Sequence, residues 1–168
     1  QGIIVFEVKD YSGWIFGNGN SKYWMQILAY GQEKHQFYNP IWQNRSHINA
    51  LRKLLPNNPD VPIFNIVVFY GNSEFKDLNY DTSGRVRVIY NTQVVELVKH
   101  IKSLPPAEYG NKREVAAVLA EGVRNGRDPE IRQAQKNLAA RAKANSHESH
   151  TYSSGWGFSR RFMRNILR

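Results

Sequence analysis

The sequence predicts an α/β or α+β fold built on a mixed sheet, and we class it as α/β. Residues 2–8 (GIIVFEV) and 63–71 (IFNIVVFYG) are near-continuous apolar runs rich in β-branched residues, the pattern of strands covered on both faces. Between them, apolar residues recur at helical spacing from Ile41 to Leu55. A third apolar run, RVRVIY (85–90), leads into a helical pattern at 94–104. Strands alternating with helices indicate helices packed against a sheet.

The elements follow in order. After the first strand, residues 9–21 (KDYSGWIFGNGNS) read as a loop, with Gly13, Gly17 and Gly19 as breakers. YWMQILAY (23–30) and KHQFYNP (34–40) flank Gly31-Gln32, which predicts a hairpin. Asn39 offers a helix cap and Pro40 the first helical position, and the helix should stop at Pro56. PNNPDVP is a turn cluster before the strand at 63–71, and a polar connection is expected from 72 to 84. Asn91 or Thr92 should cap the helix 94–104, which Pro105-Pro106 ends. Beyond it, 112–126 and 128–145 read as helices, the second with Asp128 as cap and Pro129 at its first position.

The chain has 168 residues, 23 Lys+Arg against 14 Asp+Glu, and a net charge of +9. Residues 105–168 carry 12 basic against 6 acidic side chains, so the second part of the chain is the more basic. Such a balance favours polyanions, nucleic acid before an acidic membrane surface, although basic charge also serves solubility alone. There is no cysteine, which excludes a disulfide scaffold, a thiol nucleophile and a Cys-based zinc site, and fits a reducing, cytoplasmic setting. No apolar run approaches the roughly 18 residues of a membrane span. Three segments are expected: a core at 1–104, a basic helical extension at 105–146, and a flexible basic tail at 147–168. In the tail, Phe158, Phe162 and Ile166 stand among Arg160, Arg161, Arg164 and Arg168. That mixture suits either a disordered basic terminus or contact with an anionic membrane.

The chemistry-bearing residues are at the end of the first strand. Side chains alternate across a strand, so Glu7 and Lys9 share one face while Val8 and Asp10 take the other. A carboxylate beside an ammonium at a strand end suits phosphodiester chemistry. The carboxylate can hold a hard cation and the ammonium can steady charge on phosphoryl oxygens. Taken alone, an E-x-K triplet is equally a strand-end ion pair, worth about 0–1 kcal/mol if exposed. Gln43 and His47 lie four apart on the first helix and share a face. Capping or exposure would explain Gln43, and half-burial with a satisfied ring would explain His47. Tyr11, Trp14, Tyr23, Trp24, Tyr30 and Trp42 suit base stacking or core packing equally well. His35, His100, His147 and His150 have no metal-ligand spacing, and there is no dinucleotide fingerprint or Walker lysine, so no small-molecule cofactor is expected.

The ordered run GIIVFEVKDYSGWIFG, W-M-Q, FYNPIWQNRSHINAL and IFNIVVF resembles the nuclease-related domain family over about residues 2–104. That family is similar to the PD-(D/E)XK, restriction-endonuclease-like superfamily. The resemblance implies a central mixed sheet flanked by helices, and Mg²⁺- or Mn²⁺-dependent cleavage of DNA. By position it implies that Glu7 is a metal ligand, Lys9 the catalytic cation, the backbone carbonyl of Val8 a further ligand, and Gln43 a residue leaning over the site. The family pattern also places a metal-binding Asp on the strand before E-x-K, and an acidic residue on an earlier helix. Only Gln1 to Phe6 precede Glu7 here, so the expectation is a core lacking its N-terminal helix and strand, with half a catalytic site. The functional expectation is therefore an Mg²⁺-dependent DNA endonuclease-like domain, incomplete as given. The alternative is a catalytically inactive module that binds nucleic acid, with the basic C-terminal helices gripping DNA or RNA.

Overall fold

A computed structural model of the chain describes residues 1–134 and 136–137. The first of its two units, Gln1–Asn111, contains β1 (Ile3–Asp10), β2 (Gly13–Asn18), β3 (Tyr23–Leu28), β4 (Glu33–Tyr38), α1 (Pro40–Lys53), β5 (Ile63–Tyr70), β6 (Ser73–Asn79), β7 (Val86–Tyr90) and α2 (Val94–Ser103). In the second unit, α3 spans Lys112–Arg127. The helix at 129–134 begins as the sequence predicts: Asp128 Oδ1 accepts from the N–H groups of Glu130 and Ile131. The expected tail at 147–168 lies outside the described residues.

The strands form a parallel sheet in the order β1-β5-β7 and a mixed sheet in the order β4-β3-β2-β6. The two buried apolar runs therefore pair with each other, with Glu7 opposite Val67 and Lys9 opposite Phe69. Helices cover both faces of the parallel sheet, as those runs require. On one face Ile41 of α1 joins Val67, Phe69 and Val88, together with Ile15 and Trp24 of the mixed sheet. On the other, Ile101 of α2 joins Phe64, Ile66, Val68 and Ile89. This α/β arrangement of mixed sheet and flanking helices is consistent with a restriction-endonuclease-like fold.

Two expected loops are strands. Residues 13–18 form β2 and 73–79 form β6, and they pair in parallel with Gly13 opposite Ser73. They continue β1 and β5 through a common bend. Tyr11 N–H donates to the Tyr70 carbonyl and Gly13 N–H to that of Asn72, so the ladder persists across it. Gly13 (φ 79°) and Gly71 (φ 80°) make the bend, in a backbone region that other residues enter only at a cost. Gly17 is a packing residue rather than a breaker: it lies against the indole of buried Trp24. The polar look of 72–84 has a second cause. The register of β2 against β6 slips between Ile15 and Phe16, which leaves Lys76 as the extra residue of a bulge. Phe75 and Leu78 thus both pack on the core although they are three apart, and the period of two is hidden.

The hairpin forms as expected, with its turn at Ala29–Gly31, where Tyr30 (φ 51°) and Gly31 (φ 102°) are left-handed. Neither Asn91 nor Thr92 caps α2. Residues Asn91–Gln93 make one tight turn before it, and the Gln93 side chain accepts from the Tyr90 N–H at 2.9 Å. Among the described residues, no helix is long and apolar enough to cross a membrane.

Candidate active site

The site depends on how α1 is pinned to the sheet. Asn39 is fully buried, and its Oδ1 accepts from the N–H groups of Ile41 (2.9 Å) and Trp42 (3.4 Å). Its Nδ2 donates to the carbonyls of Asn18, Gly19 and Ser21 in the β2–β3 turn. One residue therefore caps the helix and ties its start to the neighbouring sheet. Further along, buried Asn44 donates to the Val5 carbonyl and to Asn65 Oδ1, both at 2.8 Å, while Asn65 Nδ2 returns a bond to the Ile41 carbonyl at 3.0 Å. This amide pair joins α1 to β1 and β5 at a fixed height.

Pinned there, α1 runs antiparallel to β1. Gln43 stands over Lys9, and one turn on, His47 stands over Glu7. Four residues of helix advance about 6 Å and two residues of strand about 6.6 Å, so the two rows match. Lys9 Nζ donates to Gln43 Oε1 at 2.8 Å and pairs with Glu7 Oε1 at 2.8 Å. The other carboxylate oxygen, Oε2, is 3.2 Å from His47 Nε2. The cluster is sheltered, with side-chain exposures of 7 % for Glu7, 12 % for Lys9 and 14 % for His47.

The electrostatics follow from these contacts. Burial pushes the Glu7 carboxyl up, but the hydrogen bond from His47, and then the charge and hydrogen bond of Lys9, outweigh it. Glu7 is thus held below its ordinary value and is a carboxylate at neutral pH. What the cluster can do is present one fixed ammonium, braced from two sides, beside an ionised carboxylate.

The expected site residues Glu7, Lys9 and Gln43 are therefore together. His47, whose plain reading was a half-buried satisfied histidine, is half-buried and contacts the same carboxylate. Val8 points its side chain to the other face and is 38 % exposed. Its carbonyl is placed by the ladder: Ile3 and Tyr11 donate to Pro62 and Tyr70, so the odd-numbered residues of β1 bond β5. The Val8 carbonyl then faces the edge of β1 away from β5. Sequence reasoning missed Asn44 and Asn65. The available signal was an amide inside an otherwise apolar strand, IFNIVVFY. Of the aromatic residues, Tyr11, Trp24 and Trp42 belong to the core cluster, whereas Tyr23 and Tyr30 are exposed. Trp14 carries Lys76 Nζ at 5.1 Å from its ring.

A divalent cation asks more of this donor set than it offers. Hard cations take about six oxygen ligands. Glu7 offers one carboxylate with both oxygens already engaged by Lys9 and His47. Asp10 lies on the opposite face of β1, Asp77 is on β6, and Asp81 accepts from Ser83 N–H and Oγ. Among the described residues no group of three or more His, Asp or Glu is arranged to hold a metal ion. The described residues do not fit Mg²⁺ or Mn²⁺.

A parallel sheet between helices thus carries an acid and a lysine two apart near the end of its edge strand. Residues 1–70 match the family described as nuclease-related domain, a stretch that runs from the start of the chain to the last residue of β5. The chain is also 29 % identical over 110 residues to an uncharacterized protein of Bacillus anthracis. That alignment covers 66 % of this chain and 48 % of the relative, so it spans about half the relative's length. No solved structure matches.

Proposed function

We propose that this is a cytoplasmic DNA-cleaving domain of the PD-(D/E)XK type, with Glu7, Lys9 and Gln43 as its working residues. The observation that carries the reading is the Lys9 ammonium held 2.8 Å from both Glu7 Oε1 and Gln43 Oε1, on the face of β1 that α1 covers. An ammonium fixed in this way pays little to reorganise as charge grows on a phosphoryl oxygen. Glu7 sets its position and remains ionised, and Gln43 supplies the second brace. His47 holds the far side of Glu7. Mg²⁺ or Mn²⁺ belongs to the family expectation, and further ligands would have to join Glu7 and the Val8 carbonyl for either to bind. The match to the nuclease-related domain supports nucleic acid as the partner.

The test is supercoiled-plasmid nicking by the 168-residue chain, with and without Mg²⁺ or Mn²⁺, beside its Lys9→Ala variant. Weak nicking that the variant loses supports the reading. Equal nicking by both removes the mechanism. The shortage of metal ligands favours a second reading, a module that binds nucleic acid without cutting it. It predicts DNA retention that falls with salt, needs no divalent ion and survives Lys9→Ala.

A further inference from the structure

The side of the parallel sheet away from Glu7 and Lys9, within the unit Gln1–Asn111, is indented. A cleft of about 510 Å³ opens between α2 and the N-terminal ends of β5 and β7. That volume is in the range of small-molecule sites. Phe64 and Ile66 of β5 and Ile101 of α2 lie at its base but are buried in the core, and half-buried Leu97 and Leu104 form its apolar side.

Two features break the apolar pattern of these surfaces. On β7, Val88 packs toward α1 and Ile89 toward α2, so Arg85 and Arg87 take the α2 face, where burial would call for apolar residues. On α2, His100 stands in the same stripe as Leu97, Ile101 and Leu104, spaced i, i+3, i+4, i+7. All three basic side chains line the cleft, and no Asp or Glu lines it. Asp81, nearby in sequence, already accepts from Ser83. At the C-terminal end of α2, which would repel an anion, Gln1 Nε2 donates to the carbonyls of Lys102 (2.9 Å) and Leu104 (3.2 Å). Arg87 Nη1 bonds the carbonyls of Thr82, Gly84 and Val86, which secures the strand start. The Arg85 guanidinium lies 6.0 Å from the centre of the Phe64 ring, at the junction of basic and apolar lining.

We propose that this cleft binds a nucleoside monophosphate group, with the phosphate on Arg85 and His100, the remaining guanidinium nitrogens of Arg87 beside it, and the base against Leu97 and Leu104. Basic groups on both sides of one cleft, with no acidic residue in its lining, suit the near-double charge of a phosphate monoester better than a carboxylate. The half-buried Leu97 and Leu104 suit a flat ring. The group could come as a free nucleotide or as the phosphorylated end of a strand, and the chemistry recognised is the same.

The experiment is a ¹H–¹⁵N NMR titration of the full chain with dAMP, inorganic phosphate, deoxyadenosine, and a short oligonucleotide with and without a 5′-phosphate. The expected result is that dAMP shifts the amides of Phe64, Arg85, Arg87 and His100. It should bind at least about tenfold more tightly than phosphate or nucleoside alone. Arg85→Ala should weaken binding about tenfold, the loss of one charge-assisted contact. Leu97→Trp, which places an indole in the cleft from the α2 side, should abolish it, and Lys9→Ala should leave it unchanged. The phosphorylated oligonucleotide shifting the same amides points to strand ends, and dAMP alone doing so points to the free nucleotide; each supports the site. Three results would overturn it: no shift with dAMP, phosphate binding as tightly as dAMP, or shifts that survive both Arg85→Ala and Leu97→Trp. In that case the two arginines guard β7 as an edge strand, a known use of inward-pointing charge. Because Lys9→Ala is silent here, this outcome is separable from that of the cleavage reading.

Discussion

Glu7→Gln tests the electrostatics of the site without requiring any activity. The substitution keeps the shape and removes the charge. Glu7 makes two contacts with cationic or potentially cationic groups, Lys9 at 2.8 Å and His47 at 3.2 Å, in a cluster only 7–14 % exposed. A glutamine can accept from one of them, and its amide then faces the other donor. A hydrogen bond to a charged group contributes about 1.5–3 kcal/mol, and relief of the carboxylate's desolvation returns part of that. The net loss is about 2 kcal/mol, which for a unit of this size lowers Tm by about 8 °C. Thermal and urea unfolding at pH 7 measure it. The pH dependence is a second check. Because the native carboxyl lies below its ordinary value, it stabilises the fold above the unfolded pKa of about 4.3, and that stability is lost as pH falls through the native value. The wild-type and Glu7→Gln curves should therefore start to converge near pH 4.5 and meet below the native pKa. Lys9→Met should be less than additive with Glu7→Gln, with a coupling of about 1 kcal/mol. A variant within 1 °C of wild type at pH 7, or a gap that persists unchanged to strongly acid pH, would refute the reasoning.

Other substitutions probe the frame that holds the site. Asn44→Ala removes the bond to Val5 and leaves Asn65 Oδ1 buried without its donor, so urea unfolding should show a loss of about 2–4 kcal/mol. Gln43→Ala removes one partly buried contact and should cost about 1 kcal/mol, measured in the same way. Gly17→Ala places a methyl group against the Trp24 indole, and about 1–3 kcal/mol should be lost together with a changed near-ultraviolet circular dichroism spectrum. Asn39→Ala uncaps α1 and removes the donor to the Ser21 carbonyl, while the Asn18 and Gly19 carbonyls keep the Trp24 and Trp42 indole N–H groups, so a loss of about 2 kcal/mol is expected by thermal unfolding.

The elements legible in the sequence were those whose signal is local. β1 and β5 are apolar throughout because both faces are covered, and that composition identifies them without a partner. Asn39-Pro40 announces a helix start because capping is settled within four residues. Glu7 and Lys9 could be placed on one face because alternation along a strand needs no tertiary information. The elements misread were those whose residues answer to distant neighbours. Gly13 and Gly71 look like breakers, but their positive φ values carry two paired strands around one bend. Gly17 is small because Trp24 lies against it, and the bulge at Lys76 hides the alternation of β6.

For the site the division is similar. Sequence alone put an acid and a lysine side by side and four-residue spacing between Gln43 and His47. The residues themselves did not say which helix residue would meet which strand residue, and only the family resemblance placed Gln43 over the site. That register is set by Asn44 and Asn65, whose amides bond across 21 residues of chain because a buried polar group must find a partner wherever the fold brings one. Only the packed structure made Gln43 the brace of Lys9 and His47 the partner of Glu7, since hydrogen bonds of this kind exist only once helix and sheet have met.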